Sequence, residues 1–297
     1  MTQEGRAISD ITALETGLRP ASRAAAALED LAKVPAFFRR DLLVLWSYRV
    51  AFLSDWVNLV VQVLLFYFLN RLIPSDKLPR FGGRPTSYIE FVTVALVVTT
   101  FMQVSLGHLV SALRQEQLMG TLESLLLTPT APTTIQLGSI AYDILYVPVR
   151  TAVFLAIMSG IFGVHFHLGG LVPTVAILVV FVPCMWGLGL LGAAGVLTVR
   201  RGSGVTGIAA TALMLASGAY FPIQYLPPWL QSLTQYNPVT IALDGARQAM
   251  LADAGWSVIW PSVLKLVPMA SVSLMLGITA FRLALKRERR RGTIGLY

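Results

Sequence analysis

The chain has 297 residues, of which 55% are hydrophobic and only 13% are charged, and its formal net charge is +8. Soluble domains carry roughly 25% charged residues, so this composition excludes an ordinary soluble protein and predicts an integral membrane protein. None of the four lysines follows a glycine, which excludes a phosphate-binding Gly-Lys-Ser/Thr loop. We therefore expect a chain that is not an enzyme by itself and is powered by another protein.

The amino-terminal part of the chain is basic and lacks the apolar core of a cleaved signal peptide. Residues 1–27 are expected to form a flexible cytoplasmic leader. Residues 28–46 mix apolar and charged side chains, which predicts an amphipathic interface helix along the inner membrane face. The alternative is a solvated segment that leads directly into the first span. The aromatic and basic residues of the predicted helix include Phe37, Phe38, Arg39 and Arg40.

Six apolar segments meet or approach the length of about 20 residues that a membrane-spanning helix needs. They cover residues 50–72, 88–112, 140–164, 171–199, 204–221 and 257–283. Together they predict an all-α integral membrane protein with a six-span domain over residues 47–291. A basic cytoplasmic tail is expected over residues 284–297.

The basic residues are distributed unevenly between the two sides of the predicted membrane domain. If both termini lie inside, 17 of the 23 basic residues fall in inner segments and five in outer segments. Inner loops of membrane proteins are enriched in Lys and Arg. We therefore expect a multi-pass protein of the plasma or inner membrane with both termini in the cytoplasm. Membrane orientation also explains the basic charge better than binding of nucleic acid does, so no nucleic-acid partner is expected.

The stretch from Phe221 to Pro238 is too apolar for a free loop and too interrupted by proline for a span. It predicts short re-entrant helices in the outer leaflet, with Tyr225, Trp229 and Tyr236 at the interface. Non-helical backbone at membrane depth is tolerated only where protein or a watery cavity covers it. This segment is therefore expected to cap a pathway.

Small residues suggest close helix packing rather than chemistry. Gly202 to Gly207 fits a dinucleotide fingerprint by letter, but it follows an apolar helix and two arginines instead of a strand. The fourth span carries a smooth stripe that includes Gly187, Gly189 and Gly192, for which packing is the default interpretation and subunit contact the alternative. The single cysteine, Cys184, is expected to be a small buried side chain.

Two histidines lie at the end of the third span, with no cysteine or carboxylate near them in the sequence. A metal shell needs further ligands. His165 and His167 are therefore interpreted as polar surface, and no metal site is predicted.

A charged stretch, Arg114 to Pro129, separates the second and third spans. Gly120 and Thr121 can interrupt the helix, Leu122 begins an apolar stripe, and Thr128 ends the following short helix. A short cytoplasmic helix with acidic and apolar faces suits docking onto a soluble protein. A merely amphipathic loop is the alternative. The charged residues of this stretch are Arg114, Glu116 and Glu123.

The sequence resembles the membrane subunits of ABC transporters of the type-2 exporter class over about residues 30–290. Gly120-Thr-Leu-Glu123 followed by Leu126-Leu-Thr-Pro129 is similar to the family's first coupling helix. Ser217-Gly-Ala-Tyr-Phe-Pro222, Leu226-Pro-Pro-Trp-Leu230, Asn237-Pro238 and Arg247 are similar to its fifth span, its outer re-entrant helices and the stretch before its sixth span.

The resemblance implies an ATPase partner and a paired membrane subunit. Two copies of a separate ABC ATPase would bind ATP and Mg²⁺, so no cofactor is expected in this chain. The amphipathic helix would contact the ATPase, and Arg200 and Arg201 would lie near a second, smaller contact. A second copy of this chain or a close relative would complete the route, with spans one and five lining it in a shell of membrane lipid.

The cargo is less strongly indicated than the transporter class. Phe52, Trp56, Tyr220 and Phe221 could line a pathway for amphiphilic or drug-like compounds, and the alternative is that they pack against lipid or a second subunit. Tyr220-Phe-Pro222 and Leu226-Pro-Pro-Trp229 resemble the family's exporters of small amphiphiles more than its exporters of lipid-linked polysaccharides or glycolipids. A stand-alone channel or secondary transporter is the remote alternative.

Overall fold

The structure is a computed structural model that describes residues 49–75, 78–119, 132–199 and 202–291. Within these ranges the regular structure is helical, apart from an isolated bridge between Phe81 and Arg84. The described part of the chain therefore confirms the predicted all-α class.

Eight α-helices follow one another along the described ranges. They are α1 (Arg49–Asn70), α2 (Tyr88–Met119), α3 (Pro132–Gly160), α4 (Leu171–Val199), α5 (Gly202–Leu215), α6 (Pro228–Thr234), α7 (Pro238–Ala252) and α8 (Trp256–Arg291). Single turns of 3-10 helix precede α4 and α6, at Leu168–Gly170 and Ile223–Tyr225. Each predicted span overlaps one helix. The α6 helix lies in the stretch from Phe221 to Pro238, where the sequence predicts short helices, whereas α7 begins at the last residue of that stretch and occupies the interval before the sixth predicted span.

Several of these helices are apolar enough for a membrane. In the described residues, three segments are both long and apolar enough to cross it, namely Tyr88–Gly107, Leu168–Thr198 and Trp256–Glu288. Three shorter apolar helices accompany them, Trp56–Asn70, Tyr146–Gly160 and Thr206–Leu215. The chain is thus a membrane protein, while the six-span layout stays a prediction.

Helix ends differ from the predicted span ends because hydropathy marks the apolar part of a helix and not the whole helix. The α2 helix continues to Met119, and α8 continues to Arg291, inside the predicted basic tail. With 36 residues, α8 is about 54 Å long, against roughly 30 Å for the hydrocarbon core. The opposite difference occurs in α5, which ends at Leu215 although the predicted span continues to residue 221.

The α4 helix forms the centre of the fold, packing most extensively against α8 and also against α2, α7 and α5. A Cβ atom at Gly187 would collide with the α8 backbone at Ser273, and one at Gly189 would lie 3.0 Å from the carbonyl oxygen of Leu106 in α2. One at Gly192 would lie 2.5 Å from the hydroxyl of Thr206 in α5. The glycine stripe of α4 therefore serves packing within the chain, as the default interpretation holds.

The α1 helix is attached more loosely. Leu59, Val63 and Phe66 form a buried stripe, and α1 packs mainly against α2. Large apolar side chains elsewhere on α1 are exposed, namely Leu53, Val57, Val60, Val61, Leu64, Leu65 and Phe68. We call these seven residues the open face of α1.

The histidine pair has a neighbour that the sequence did not indicate. Nδ1 of His167 lies 3.9 Å from a carboxylate oxygen of Asp253, which follows α7. No carboxylate is close to the histidines in the sequence, but Asp253 lies beside His167 in the folded chain. The expectation that no carboxylate is near them is therefore wrong. The described residues contain no group of three potential metal ligands, and His165 is exposed.

Candidate functional site: an aromatic pocket at the break after α5

The candidate site begins where α5 stops. Gly218 adopts a positive φ of 72°, a conformation that glycine tolerates and most other residues resist. Its missing side chain also leaves room for Ile223, whose Cγ1 would lie 2.6 Å from a Cβ atom at Gly218. The chain therefore leaves the helix at this glycine and returns toward α6 through Pro222.

An open pocket of about 420 Å³ lies beside this break. Volumes of this order are typical of small-molecule sites in proteins. Its lining is mainly aromatic and aliphatic, and it consists of Ile73, Leu78, Tyr88, Tyr220, Phe221, Pro222 and Tyr225. We call this site the aromatic pocket. It lies where α1 ends and α2 begins, on the side that the charge distribution predicts to be external.

Tyr220 is the residue through which three elements meet at the pocket. Its ring stacks on Phe66 of α1, with ring centroids 5.7 Å apart and planes 15° from parallel. Its backbone carbonyl accepts a hydrogen bond of 3.1 Å from the hydroxyl of Tyr88 in α2. The pocket wall is thus held by contacts with both α1 and α2.

The start of α2 is fixed by a capping box that sets the position of Tyr88. The amide of Ser87 donates to the carboxylate of Glu90 at 2.9 Å, and the amide of Glu90 faces the hydroxyl of Ser87 at 3.4 Å. The side chain of Asn70, at the end of α1, accepts a hydrogen bond from the amide of Ile89 at 3.0 Å. Glu90 therefore has a structural role at the helix end.

The α7 helix holds the break from the other side. The side chain of Asn237 accepts from the amide of Val239 and so caps α7, while its amide group donates to the carbonyl of Leu213 in α5 at 2.8 Å. Arg247 donates to the carbonyls of Gly218 and Ala219, both at 3.1 Å. Asn237, which precedes α7, thus binds a carbonyl in the last turn of α5, and Arg247 within α7 binds two carbonyls of the break that follows α5.

The structure brings together only part of the predicted pathway lining. Tyr220 and Phe221 both line the aromatic pocket. Trp56 lies on α1 ten residues before Phe66, which is about 15 Å along the helix. Phe52 belongs to the same helix, and its side chain lies outside the described part of the structure.

Most of the predicted ATPase contacts fall outside the described residues. Arg114 lies on α2 and is half-buried, seven residues or about 10 Å beyond the apolar segment that ends at Gly107. Glu116 lies in the same helix, and its side chain is not described. The remaining predicted contacts lie outside the described ranges and stay predictions; they are Gly120, Thr121, Leu122, Glu123, Thr128, Pro129, Arg200, Arg201, Phe37, Phe38, Arg39 and Arg40.

Sequence reasoning missed two features of the site. Tyr88 shares the pocket with Tyr220, from which it is separated by 132 residues, so no local pattern connects them. Arg247 was counted among the external charges, but only 2% of its surface is exposed. No local pattern indicates this burial, because it depends on how α7 packs against α2 and the break after α5.

Most of the chain is similar to known membrane transport proteins. Residues 33–251 match the model of the family described as ABC-2 type transporter. The chain is 24% identical over 270 residues to the probable multidrug ABC transporter permease YbhR of Escherichia coli strain K12 and to the protein of the same name in strain O157:H7. Each alignment covers 85% of this chain and 73% of the relative.

Proposed function

Because the chain belongs to the ABC-2 type transporter family and is an ABC transporter membrane subunit, we propose that it is the permease of an ATP-driven exporter. Its cargo is an amphiphilic, drug-like or lipid-like compound that leaves the cytoplasm or the inner leaflet. ATP and Mg²⁺ bind to two copies of a separate ABC ATPase. The chain itself moves the cargo and hydrolyses nothing.

The observation that carries the cargo class is the aromatic pocket. Four of its seven lining residues are aromatic, and the others are Ile73, Leu78 and Pro222. A ligand bound there would contact rings and apolar groups and meet few hydrogen-bonding partners. The word multidrug in the relatives' name supports the same class of cargo. A volume of about 420 Å³ suits a small amphiphile better than a polysaccharide chain.

In the proposed exporter, the stretch between α2 and α3 transmits energy from the ATPase to the membrane subunit. Arg114, Glu116 and the segment Gly120 to Pro129 form the coupling helix, which docks into a cleft of the ATPase. Arg200 and Arg201 add a second contact, and the helix over residues 28–46 lies on the ATPase surface. Closure of the ATPase pair on ATP pulls on these contacts and opens the pathway outward, since a difference in contacts between two states is what transmits energy.

A second membrane subunit completes the pathway. The open face of α1 carries seven large apolar side chains that no part of the described chain covers. Such a face suits lipid or a second copy of this chain. In the proposed exporter, α1 and α5 of two copies line the route between them, in the inner membrane and with all termini in the cytoplasm.

Reversal of the charge at Glu123 tests the coupling proposal. In the complex of this chain with its ATPase, Glu123→Arg should abolish the stimulation of ATP hydrolysis by ethidium, an amphiphilic cation. The subunit should still insert and fold. Arg80→Glu, a charge reversal at an exposed residue of the predicted outer loop, is the matched control and should retain stimulation. Normal stimulated hydrolysis in Glu123→Arg would refute the assignment of the coupling helix.

A further inference from the structure

Arg247 is a buried cation whose hydrogen-bond acceptors are all backbone carbonyls. It belongs to α7, and 2% of its surface is exposed. Nη2 donates to the carbonyls of Gly218 and Ala219 at 3.1 Å and faces that of Phe91 at 3.4 Å. The Cζ atom lies 3.5 Å from the centre of the Phe91 ring, in cation–π contact. One side chain of α7 therefore joins α2 to the break after α5.

A contribution to stability alone does not explain why an arginine occupies this buried position. Burying a charge is costly, and replacing buried ionic groups with apolar side chains of similar volume is often neutral or stabilising. Nε of Arg247 also lacks a hydrogen-bond partner in the described part of the chain. A methionine could fill much of the same space, but it could not donate to the carbonyls of Gly218 and Ala219. The guanidinium therefore serves to position the backbone of Gly218 and Ala219 rather than to fill space.

The positions that it fixes belong to the pocket wall. Gly218 and Ala219 directly precede Tyr220 and Phe221, which line the aromatic pocket. The next carbonyl along the chain, that of Tyr220, is held by Tyr88. Three consecutive carbonyls of a non-helical segment are thus bound by two side chains from different helices. Without Arg247, only the carbonyl of Tyr220 among these three would keep its hydrogen-bond donor.

We propose that Arg247 is a positioning residue that sets the shape of the aromatic pocket through the backbone of Gly218 and Ala219. Its effect on transport rests on the proposed function, but its effect on the pocket does not. The planar fork of arginine reaches several carbonyls while stacking on Phe91, whereas lysine offers a single ammonium group without a flat face. The pocket wall should therefore be most rigid with the native Arg247, less rigid in Arg247→Lys and least rigid in Arg247→Met.

Thiol labelling measures the wall directly and needs no transport. A membrane-impermeant maleimide is applied to the intact complex in proteoliposomes, with Phe221→Cys as the probe in a Cys184→Ala background. Phe221 is half-buried in the pocket wall. Arg247→Lys should raise the labelling rate at position 221 by about fivefold, the effect of losing roughly one hydrogen bond, and Arg247→Met should raise it further. Unchanged or lower rates in Arg247→Lys would overturn the proposal.

Native Cys184 distinguishes a change in the wall from general loosening. It is the only cysteine in the chain and is 2% exposed within α4. With Cys184 intact and no introduced cysteine, Arg247→Lys should leave it unlabelled by N-ethylmaleimide, a small reagent that crosses the membrane and can reach Cys184 if the fold loosens. Labelling of Cys184 at the rate seen for position 221 would mean global loosening and would overturn the positioning role. If Arg247→Met fails to insert, Arg247→Lys alone supplies the comparison.

Stimulation of the ATPase by ethidium connects the pocket to transport. Arg247→Lys should raise the half-stimulating concentration of ethidium by about fivefold and leave the maximal rate nearly unchanged, because the binding surface changes and the coupling helix does not. A lower maximal rate at an unchanged half-stimulating concentration would contradict the positioning role. A wild-type complex that does not respond to ethidium would refute the proposed cargo class and leave the labelling result intact.

Discussion

The α4 and α1 helices are both apolar, yet they lie in opposite environments. The α4 helix is packed by α8, α2, α7 and α5, whereas α1 packs mainly against α2 and leaves its open face uncovered. Among the four glycines of α4, Gly187 and Gly189 let other backbones approach and Gly192 makes room for a side chain, whereas α1 contains no glycine. Apolarity thus indicates that a helix avoids water, while small residues indicate that another helix lies against it.

The same contrast explains why the two helices contribute differently to the proposed exporter. A helix held on several sides, like α4, is suited to serve as a fixed scaffold. A helix held along one stripe, like α1, keeps a surface for lipid or for a second subunit. In lipid, association of helices depends on close packing and hydrogen bonds, because lipid tails are as apolar as leucine. Substitutions in α4 should therefore destabilise the fold more than those on the open face of α1.

The largest effect is expected at the contact between α4 and α8. In Gly187→Ala the new methyl group would collide with the backbone of Ser273, which cannot rotate away. We expect a loss of about 3 kcal/mol, in the upper range for overpacking. In the matched control, Gly195→Ala, the methyl group meets open space, so stability should be unchanged or slightly higher. Thermal unfolding in detergent measures the stability of both variants. Equal midpoints would show that close packing against α8 does not hold α4 in place.

A smaller effect is expected where α1 meets the rest of the chain. Phe66 is buried and stacks on Tyr220, while the adjacent Leu65 is 55% exposed. Phe66→Ala should cost about 1 to 2 kcal/mol, because ring contacts and packing are lost although lipid can solvate the gap. Leu65→Ala should cost less than about 0.5 kcal/mol. Thermal unfolding in detergent again measures the stability of both variants. An equal loss of stability in the two would show that α1 is not held by its buried stripe.

The smallest effect is expected for a polar contact between α4 and α8. The hydroxyl of Ser273 donates to the carbonyl of Cys184 at 2.9 Å, and Ser273 is buried. Ser273→Ala should lower stability by about 0.6 kcal/mol, the average for hydrogen bonds between membrane helices. Ser271→Ala is the control, since its exposed hydroxyl bonds only to Val267 in its own helix. A loss in Ser273→Ala larger than that in Gly187→Ala would mean that polar contacts, not shape, hold α4.

Much of the architecture was predictable from the sequence because the pattern that reveals it is local. All six apolar segments overlap helices, although α5 ends at Leu215, six residues before the end of the predicted span. The carboxyl-terminal ends of α2 and α8, at Met119 and Arg291, were not predictable from hydropathy, because polar residues continue those helices without changing their backbone.

The site was predictable only in part because its contacts join distant segments. Tyr220 and Phe221 were identified from a motif and do line the pocket. The positions of Tyr88 and Arg247 depend on how α2 and α7 pack against the break after α5, and no local pattern contains that information. For the same reason no local pattern indicates that Asp253 lies beside His167.

Copurification tests the central claim that this chain is driven by a separate ATPase. The tagged chain is extracted from native membranes in mild detergent, and the subunits of the purified complex are quantified. The account predicts an ABC ATPase in equal amount to this chain, in a complex with two copies of each. Recovery of the chain with no ATPase, in a preparation that still transports ethidium without ATP, would contradict it.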